Sequence, residues 1–284
     1  VVKQADERFD KVLHTVMSDV SRVYVQSLIQ DGWVHLDGKR PKPSEKTKNN
    51  SLIRLELANT PQAEVPVRVL YEDDALIVVD KPPHVVVHHG TRHHHGTLVD
   101  VLRQHTVDSD DMLGIVHRLD KETSGVMVVA RTNEAMRELN AQFESHRVAK
   151  RYFALLEKHP PQASALIDAP IGQDPRRKRM AVMPDGNPSQ TQYTVIDDNF
   201  VGEQALVDID LLTGRTHQIR VHMAHIACPL IGDTVYSGHA HRLALHRHFL
   251  HAHSLSFEHP VSRQRLSFSS PLPDDLTQLL DELR

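Results

Sequence analysis

The stretch GIVHRLDKETSGVMVVA, residues Gly114 to Ala130, places one carboxylate, Asp120, between Arg118 and Lys121, with His117 just before them. A carboxylate bracketed by cations stays ionised even in a partly enclosed pocket, which suits it to nucleophilic or acid-base work. A loop aspartate also serves plain architecture by accepting backbone N–H groups, and Thr123 or Ser124 can do the same. Ile115 and Val116 form a short apolar arm, and Gly125 to Ala130 reads as a buried strand, so Asp120 stands where the chain enters the core. Gly125 suits a place where backbones approach closely.

Other residues able to do chemistry follow in the chain. Tyr152, Ala154 and Leu156 share one face of an extended segment, which makes Tyr152 inward or ligand-facing. The run Arg176, Arg177, Lys178 and Arg179 follows a proline; on a loop it would contact phosphates, or else form a solvated charged face. Arg215 stands at the entrance to a helix expected from about Thr216 to Ile226, and Arg220 falls near the apolar Ile219 and Met223. A buried arginine needs an acidic partner, so Arg220 is a candidate to pair with Asp120. The histidines at 88, 89, 93, 94 and 95 invite a metal, but no cysteine or carboxylate stands at ligand spacing. His217, His222 and His225 fare no better, since 217 and 222 do not share a helical face. The expectation is no metal site.

Several elements must hold these groups. Ala75 to Val79 is an apolar, β-branched run for an interior strand ended by Pro82 and Pro83. Thr97 and Thr132 are suited to cap helices. Val207, Ile209 and Leu211 line one strand face, opposite Asp208 and Asp210. The segment SGHAHRLALHRHFLHAHSLSFEHP reads as a basic, histidine-rich patch, RLSFSS as a strand, and the chain after PLPDDL as a helix.

At 284 residues, the chain has room for a main domain and a small appendage. Its formal charge of −4 is near neutral, and its 22 histidines can swing that sign on mild acidification. The single cysteine, Cys228, excludes an internal disulfide and points to a reducing compartment. No apolar run is long enough to cross a bilayer and no basic-then-apolar leader opens the chain, so a cytoplasmic protein is expected. Residues 21–54 differ from the whole: seven basic residues (Arg22, Lys39, Arg40, Lys42, Lys46, Lys48 and Arg54) face three acidic ones, a local net of +4. Val23, Val25, Leu28 and Ile29 form the stripe of a short helix there. DGWVHLDGK then reads as a short hairpin turning at Asp37 and Gly38, with Val34 and Leu36 inward. Such a module can lay positive charge along a phosphate backbone, or simply pack.

This leading segment, with RFDKVLH before it, resembles the S4 RNA-binding domain over roughly Glu7 to Glu56. GIVHRLDKETSGVMVVA, AKRYFALL, PIGQDPRRKRMAV and LLTGRTHQIRVHMAHIACPLIGD together resemble the successive signatures of the RluA/RluD-type family of RNA pseudouridine synthases. The likeness covers roughly Val69 to Leu276. It implies an α+β catalytic fold around a mixed, mostly antiparallel sheet with an RNA cleft between its halves, spanning 61–284 with a linker at 61–67, after a small, mobile S4-like α/β domain at 1–60. The implied reaction isomerises uridine within RNA: the N1–C1′ bond breaks, the uracil reorients, and a C5–C1′ bond forms. Asp120 corresponds to the essential catalytic aspartate, Tyr152 to the tyrosine beneath the base, and Arg220 to the basic partner of the aspartate. Arg118 would replace the flipped uridine and Ile219 would line an apolar wall. His117, Arg215 and residues 176–179 are further candidate substrate contacts. His84 occupies the position of a usual family glycine, and His89 that of a proline. No cofactor is implied, because substrate and product are isomers; the expected partner is structured RNA, with large-subunit ribosomal RNA first, and the expected state is a monomer. Two other readings stand beside this one. A glycosidic-bond hydrolase would need a second carboxylate, and Glu122 is too close in sequence to be nominated by spacing. An inactive RNA-binding or assembly factor would bind RNA without converting uridine.

Overall fold

Pro41 and Pro43 lack the N–H that a strand ladder needs, and they decide how the leading segment folds. In the computed structural model, which describes residues 6–17, 22–30, 33–48, 50–55, 66–88, 96–105, 113–237 and 245–284, Asp37 and Gly38 do form a left-handed turn closed by Leu36 and Lys39. No hairpin follows it directly. Strand β1 (Val34–Leu36) pairs antiparallel with the later β2 (Ile53–Leu55), beyond the proline-containing stretch. Two helices, α1 (Phe9–Val16) and α2 (Arg22–Gln30), pack with these strands around Phe9, Leu13, Val25, Leu28, Ile29, Val34 and Leu36. Helix α3 (Leu98–His105) starts at a reciprocal cap. Thr97 Oγ1 accepts from the Asp100 N–H at 3.3 Å, and the Asp100 carboxylate accepts from the Thr97 N–H at 3.0 Å. The chain divides into two compact units, one within residues 1–65 and 86–105, the other within 66–85 and 106–284. His89 and His93 to His95 lie outside the described residues.

The larger unit begins with β3 (Arg68–Glu72), β4 (Leu76–Lys81), β5 (Gly114–Ile115) and β6 (Ser124–Ala130). Helix α4 (Asn133–Glu144) follows, with Thr132 as its cap through a bond from the Ala135 N–H at 3.1 Å. Then come β7 (Ala149–Leu156), β8 (Ser164–Asp168), β9 (Ile171–Asp174), β10 (Arg179–Val182), β11 (Gln190–Asp197) and β12 (Ala205–Leu211). Helix α5 (Gln218–His225), β13 (Leu250–Glu258), β14 (Arg265–Ser269) and α6 (Asp274–Glu282) complete it.

A ten-stranded sheet runs in the order β3-β4-β6-β13-β7-β12-β11-β8, with β14 on β13 and β5 on β6. Its described pairings are antiparallel except for β13 with β6, so the sheet is mixed and mostly antiparallel, as expected. All seven residues of β6 are buried, which explains its unbroken apolar character. Helix α4 packs through Ala135 and Leu139 on a cluster with Val126, Val128 and Phe257, whereas α6 packs through Leu276, Leu279 and Leu280 on one with Leu155 and Phe249.

Gly125 is required where β13 meets β6. Its φ is +120°, and a Cβ there would lie 2.2 Å from the Ala252 carbonyl oxygen. That contact lets β13 slot between β6 and β7. The Asp120 loop, which leads into β6, and Tyr152, on β7, thereby belong to one sheet with a single strand between them.

Candidate active site

Tyr152, Ala154 and Leu156 are all buried, as their alternation predicts, and Tyr152 opens onto a cavity of about 510 Å³. Arg118, Asp120, Lys150, Arg215, Ile219 and Arg220 also line it. Most of the predicted central residues therefore converge.

The centre of the arrangement is Arg220. Its Nη1 donates to Asp120 Oδ2 at 3.0 Å, while Nε and Nη2 donate to the two oxygens of Asp233 at 2.7 and 2.9 Å. The planar guanidinium fork fits this double role, since it can serve two carboxylates without rotating. Burial opposes charge on Arg220, but the two aspartates outweigh it and raise its pKa. Burial likewise opposes ionisation of Asp233, yet the hydrogen bonds and charge of Arg220 hold its carboxyl below the usual range. Asp120 keeps a 19% exposed side chain, and Oδ1 takes no hydrogen bond among the described residues. The predicted Arg220 to Asp120 pairing is thus present, together with a second acid that the sequence reading missed.

Around this pair the apolar and basic walls differ in role. Ile219 is 3% exposed, and Tyr152 has its hydroxyl pushed above its ordinary pKa by burial and by the charge of Asp120. Tyr152 is therefore a neutral ring beside the carboxylate. Lys150 reaches the same wall, with burial pushing its amine down to about 8 against the pull of Asp210. Arg118 and Arg215 are exposed at the cavity, where a bound anion could meet them.

Other predicted contacts are corrected by their surroundings. His117 lines the cavity, but its Nε2 accepts from the Val128 N–H at 3.0 Å and its ring stacks on Phe143 at 4.6 Å. Burial, with the charge of Lys150, pushes its pKa down to about 3, so the ring braces the loop as a neutral imidazole whose proton is on Nδ1. The four-residue basic run is not all loop. Arg176 and Arg177 have their N–H groups held by the Asp174 carboxylate, Lys178 has a φ of +51°, and Arg179 already belongs to β10. Arg176, Arg177 and Lys178 are exposed at this hairpin tip, whereas Arg179 turns to Val235 and Tyr236.

Arg22, in the smaller unit, donates to the buried Asp10 at 2.8 Å, so its guanidinium is already engaged; Lys46 pairs with Asp6 at 2.7 Å. Lys39, Arg40, Lys42, Lys46 and Lys48 are exposed.

The histidine-rich segment is partly built into the interior. Residues 238–244 lie outside the described residues, and beyond them Arg247, His248 and His251 are buried. Arg247 donates to both oxygens of Asp275 and to the Glu122 carbonyl. His248 Nε2 lies 2.8 Å from Thr123 Oγ1, and His251 Nδ1 lies 3.0 Å from Ser124 Oγ. Each polar group finds a protein partner, which is how such residues tolerate burial. His222 is similar, with its nitrogens 2.9 Å from Thr191 Oγ1 and the Ala169 carbonyl. The contacts of Arg247, His248 and His251, along with that of buried Lys81 to the Lys121 carbonyl, tether the chain just after Asp120. His84 has a φ of +67°, the conformation that a glycine takes freely, and pairs with Glu122. Glu122 is thus turned to His84 and does not line the cavity.

Sequence reasoning also missed His217 and Tyr236 as members of the site. His217 has a φ of +57° before α5, with Nε2 3.8 Å from Asp120 Oδ2. Gly232 makes the turn that delivers Asp233: its φ is +78°, and a Cβ would fall 1.9 Å from the Arg247 carbonyl oxygen.

Comparison with known proteins identifies the family. The RNA pseudouridylate synthase family matches residues 75–225. An "Uncharacterized RNA pseudouridine synthase" of Chloroflexus aurantiacus is 43% identical, covering 99% of this chain and 91% of the relative. A "Ribosomal large subunit pseudouridine synthase D" of Xanthomonas campestris is 38% identical, covering 99% and 90%. Among solved structures, "Human RNA Pseudouridylate Synthase Domain Containing 4" superposes with a TM-score of 0.62 at 26% identity, over 76% of this chain and 92% of that one. With its mixed sheet and its joined Asp120, Arg220 and Tyr152, the chain belongs to the RNA pseudouridylate synthase family and is an isomerase of uridine in RNA.

Proposed function

We propose that the protein converts specific uridines of structured large-subunit ribosomal RNA to pseudouridine, with Asp120 acting on the ribose. The observation that carries the catalytic assignment is the Arg220 fork, which holds Oδ2 of Asp120, a residue that lines one cavity with Tyr152 and whose Oδ1 takes no hydrogen bond among the described residues. A carboxylate held at one oxygen by a guanidinium is aimed, and its other oxygen can attack C1′ or remove the neighbouring C2′ proton. Tyr152, neutral, would lie against the detached uracil and keep it from leaving while it turns C5 toward C1′. Ile219 closes that wall. The target nucleotide must leave its stack at a cost of about a few kcal/mol, which phosphate contacts elsewhere can offset.

Arg118, Arg215 and the tip residues Arg176, Arg177 and Lys178 supply such contacts in this reading, and the exposed lysines and Arg40 of the leading segment supply more. Residues 1–60 then serve as an S4-like RNA grip on a catalytic domain from 61 to 284. The enzyme would work as a cytoplasmic monomer without a cofactor. The ribosomal assignment is supported by relatives named for the ribosomal large subunit, including one from Escherichia coli O157:H7 at 35% identity over 99% of this chain.

Carbodiimide treatment followed by reverse transcription, on RNA from normal and enzyme-depleted cells, tests the substrate. A stop that disappears from large-subunit RNA on depletion is expected. A stop lost only from transfer RNA would overturn the ribosomal assignment.

A further inference from the structure

Tyr236 lies outside the predicted catalytic set, yet it meets the site from three sides. Its hydroxyl is 2.9 Å from His217 Nδ1. Its ring faces two guanidinium groups, with Arg179 Cζ 5.2 Å and Arg220 Cζ 5.1 Å from the centroid. These contacts fix both the plane of the ring and the direction of its hydroxyl.

Proton counting gives the arrangement a direction. A phenol donates one hydrogen bond, and an imidazole nitrogen that accepts one leaves the ring proton on the other nitrogen. The Asp120 carboxylate beside Nε2 favours a proton on that nitrogen, so the phenolic proton points to the Nδ1 lone pair. His217 then carries its own proton on Nε2, the atom 3.8 Å from Asp120 Oδ2. The opposite tautomer would aim a lone pair at a carboxylate. Burial holds the His217 pKa below its ordinary value against the pull of Asp120 and Asp233, with Arg220 and Arg118 pushing the same way as burial. The ring is therefore a neutral N–H donor at neutral pH, in a backbone conformation that few residues other than glycine adopt.

We propose that Tyr236 is a positioning residue for the isomerisation: its hydroxyl fixes His217 as the Nε2–H form facing Asp120, and its ring holds the Arg220 guanidinium flat between the two aspartates. The carboxylate then meets a cation on one side and a neutral donor on the other, so it stays oriented as its charge changes during the reaction. The proposal rests on Asp120 as the reactive group.

Tyr236→Phe in the full chain is the test, because it keeps the ring and both cation contacts and deletes the proton. At saturating uridine-containing RNA, the single-turnover rate of pseudouridine formation should fall about tenfold, with RNA affinity and melting temperature unchanged. The His217 imidazole ¹⁵N signals, identified by their loss in His217→Ala, should report Nε2–H in the parent and a tautomer mixture in Tyr236→Phe. The double variant should be no slower than His217→Ala. An unchanged rate, or losses that add in the double variant, would overturn the proposal. Should Tyr236→Phe fail to fold, the parent spectrum still decides: an Nδ1–H ring contradicts it. An active Asp120→Asn would instead sink the reading of Asp120, whereas an inactive one beside a fully active Tyr236→Phe removes Tyr236 alone.

Discussion

Asp10 and Asp120 are both aspartates bound to arginine, one in each unit, and they are built for opposite ends. Asp10 is fully buried, and its two oxygens accept from Arg8, Arg22 and Gln26. The bond from Arg8 and then the other donors hold its carboxyl well below the usual carboxylate range, against burial. Nothing of it is left for a substrate. Asp120 accepts from Arg220 at one oxygen, takes no hydrogen bond at the other among the described residues, and lines a cavity. The saturated carboxylate joins a helix pair, whereas the half-satisfied one can react. Partner count and access separate structural from chemical acids here, while residue type does not.

The largest change should come from removing the shared cation. Arg220→Met leaves Asp233, 1% exposed, without its bidentate partner, so we expect a loss of about 3–5 kcal/mol in urea unfolding along with the loss of activity. Adding Asp233→Asn should return part of the stability and none of the activity. Full stability in the single variant would mean that Asp233 is not held as described.

Acid should weaken the catalytic unit through its buried histidines. His248 is 3% exposed, and burial, with the charge of Arg220, pushes its pKa down to about 3. An ordinary histidine titrates near 6.5, so between about pH 6.5 and 3 the unfolded chain binds a proton that the folded chain refuses. The stability it contributes is complete above 6.5 and falls as pH drops through that window, by about 2 kcal/mol between pH 7 and 5. Melting temperature against pH should show this slope, and His248→Gln should flatten it. A parent protein equally stable at both pH values would contradict the burial of a neutral ring.

Asp10→Asn should cost less, about 1–2 kcal/mol, because Arg8 and Arg22 have side chains 46% and 40% exposed and water can serve them once the charge is gone. Pseudouridine formation at saturating RNA should stay normal at temperatures below melting. A slow but fully folded variant would break the contrast between the two acids.

How far the sequence announced all this depended on whether the information was local. Helix α4 was legible because Thr132 and the spacing of Ala135 and Leu139 lie within one window, and β6 because its apolar run is unbroken. Asp120, Tyr152 and Arg220 stood out through their motifs, and the requirement that a buried arginine find an acid suggested their pairing. Asp233 and Tyr236 were hidden, because their significance depends on meeting α5 and β10 across the fold. Asp10 carried no local signal at all. The hairpin after Asp37 was misjudged for a related reason: the turn chemistry was right, but the partner strand lay beyond two prolines. The burial of Arg247 and its neighbouring histidines was not legible, because periodicity cannot show that Asp275, Thr123 and Ser124 await those side chains in the interior.

The most direct test of the account is Asp120→Asn, measured beside Asp10→Asn and the parent on one defined uridine-containing RNA. After incubation the RNA is digested to nucleosides and uridine is separated from pseudouridine by chromatography, with circular dichroism and RNA binding run on the same preparations. The amide keeps the size of the side chain and removes the charge that must act on the ribose. The account predicts that Asp120→Asn is folded, binds the RNA and forms no pseudouridine, while Asp10→Asn forms it normally. Near-normal pseudouridine from Asp120→Asn would contradict the catalytic assignment, and loss of its fold would make Asp120 a structural acid like Asp10.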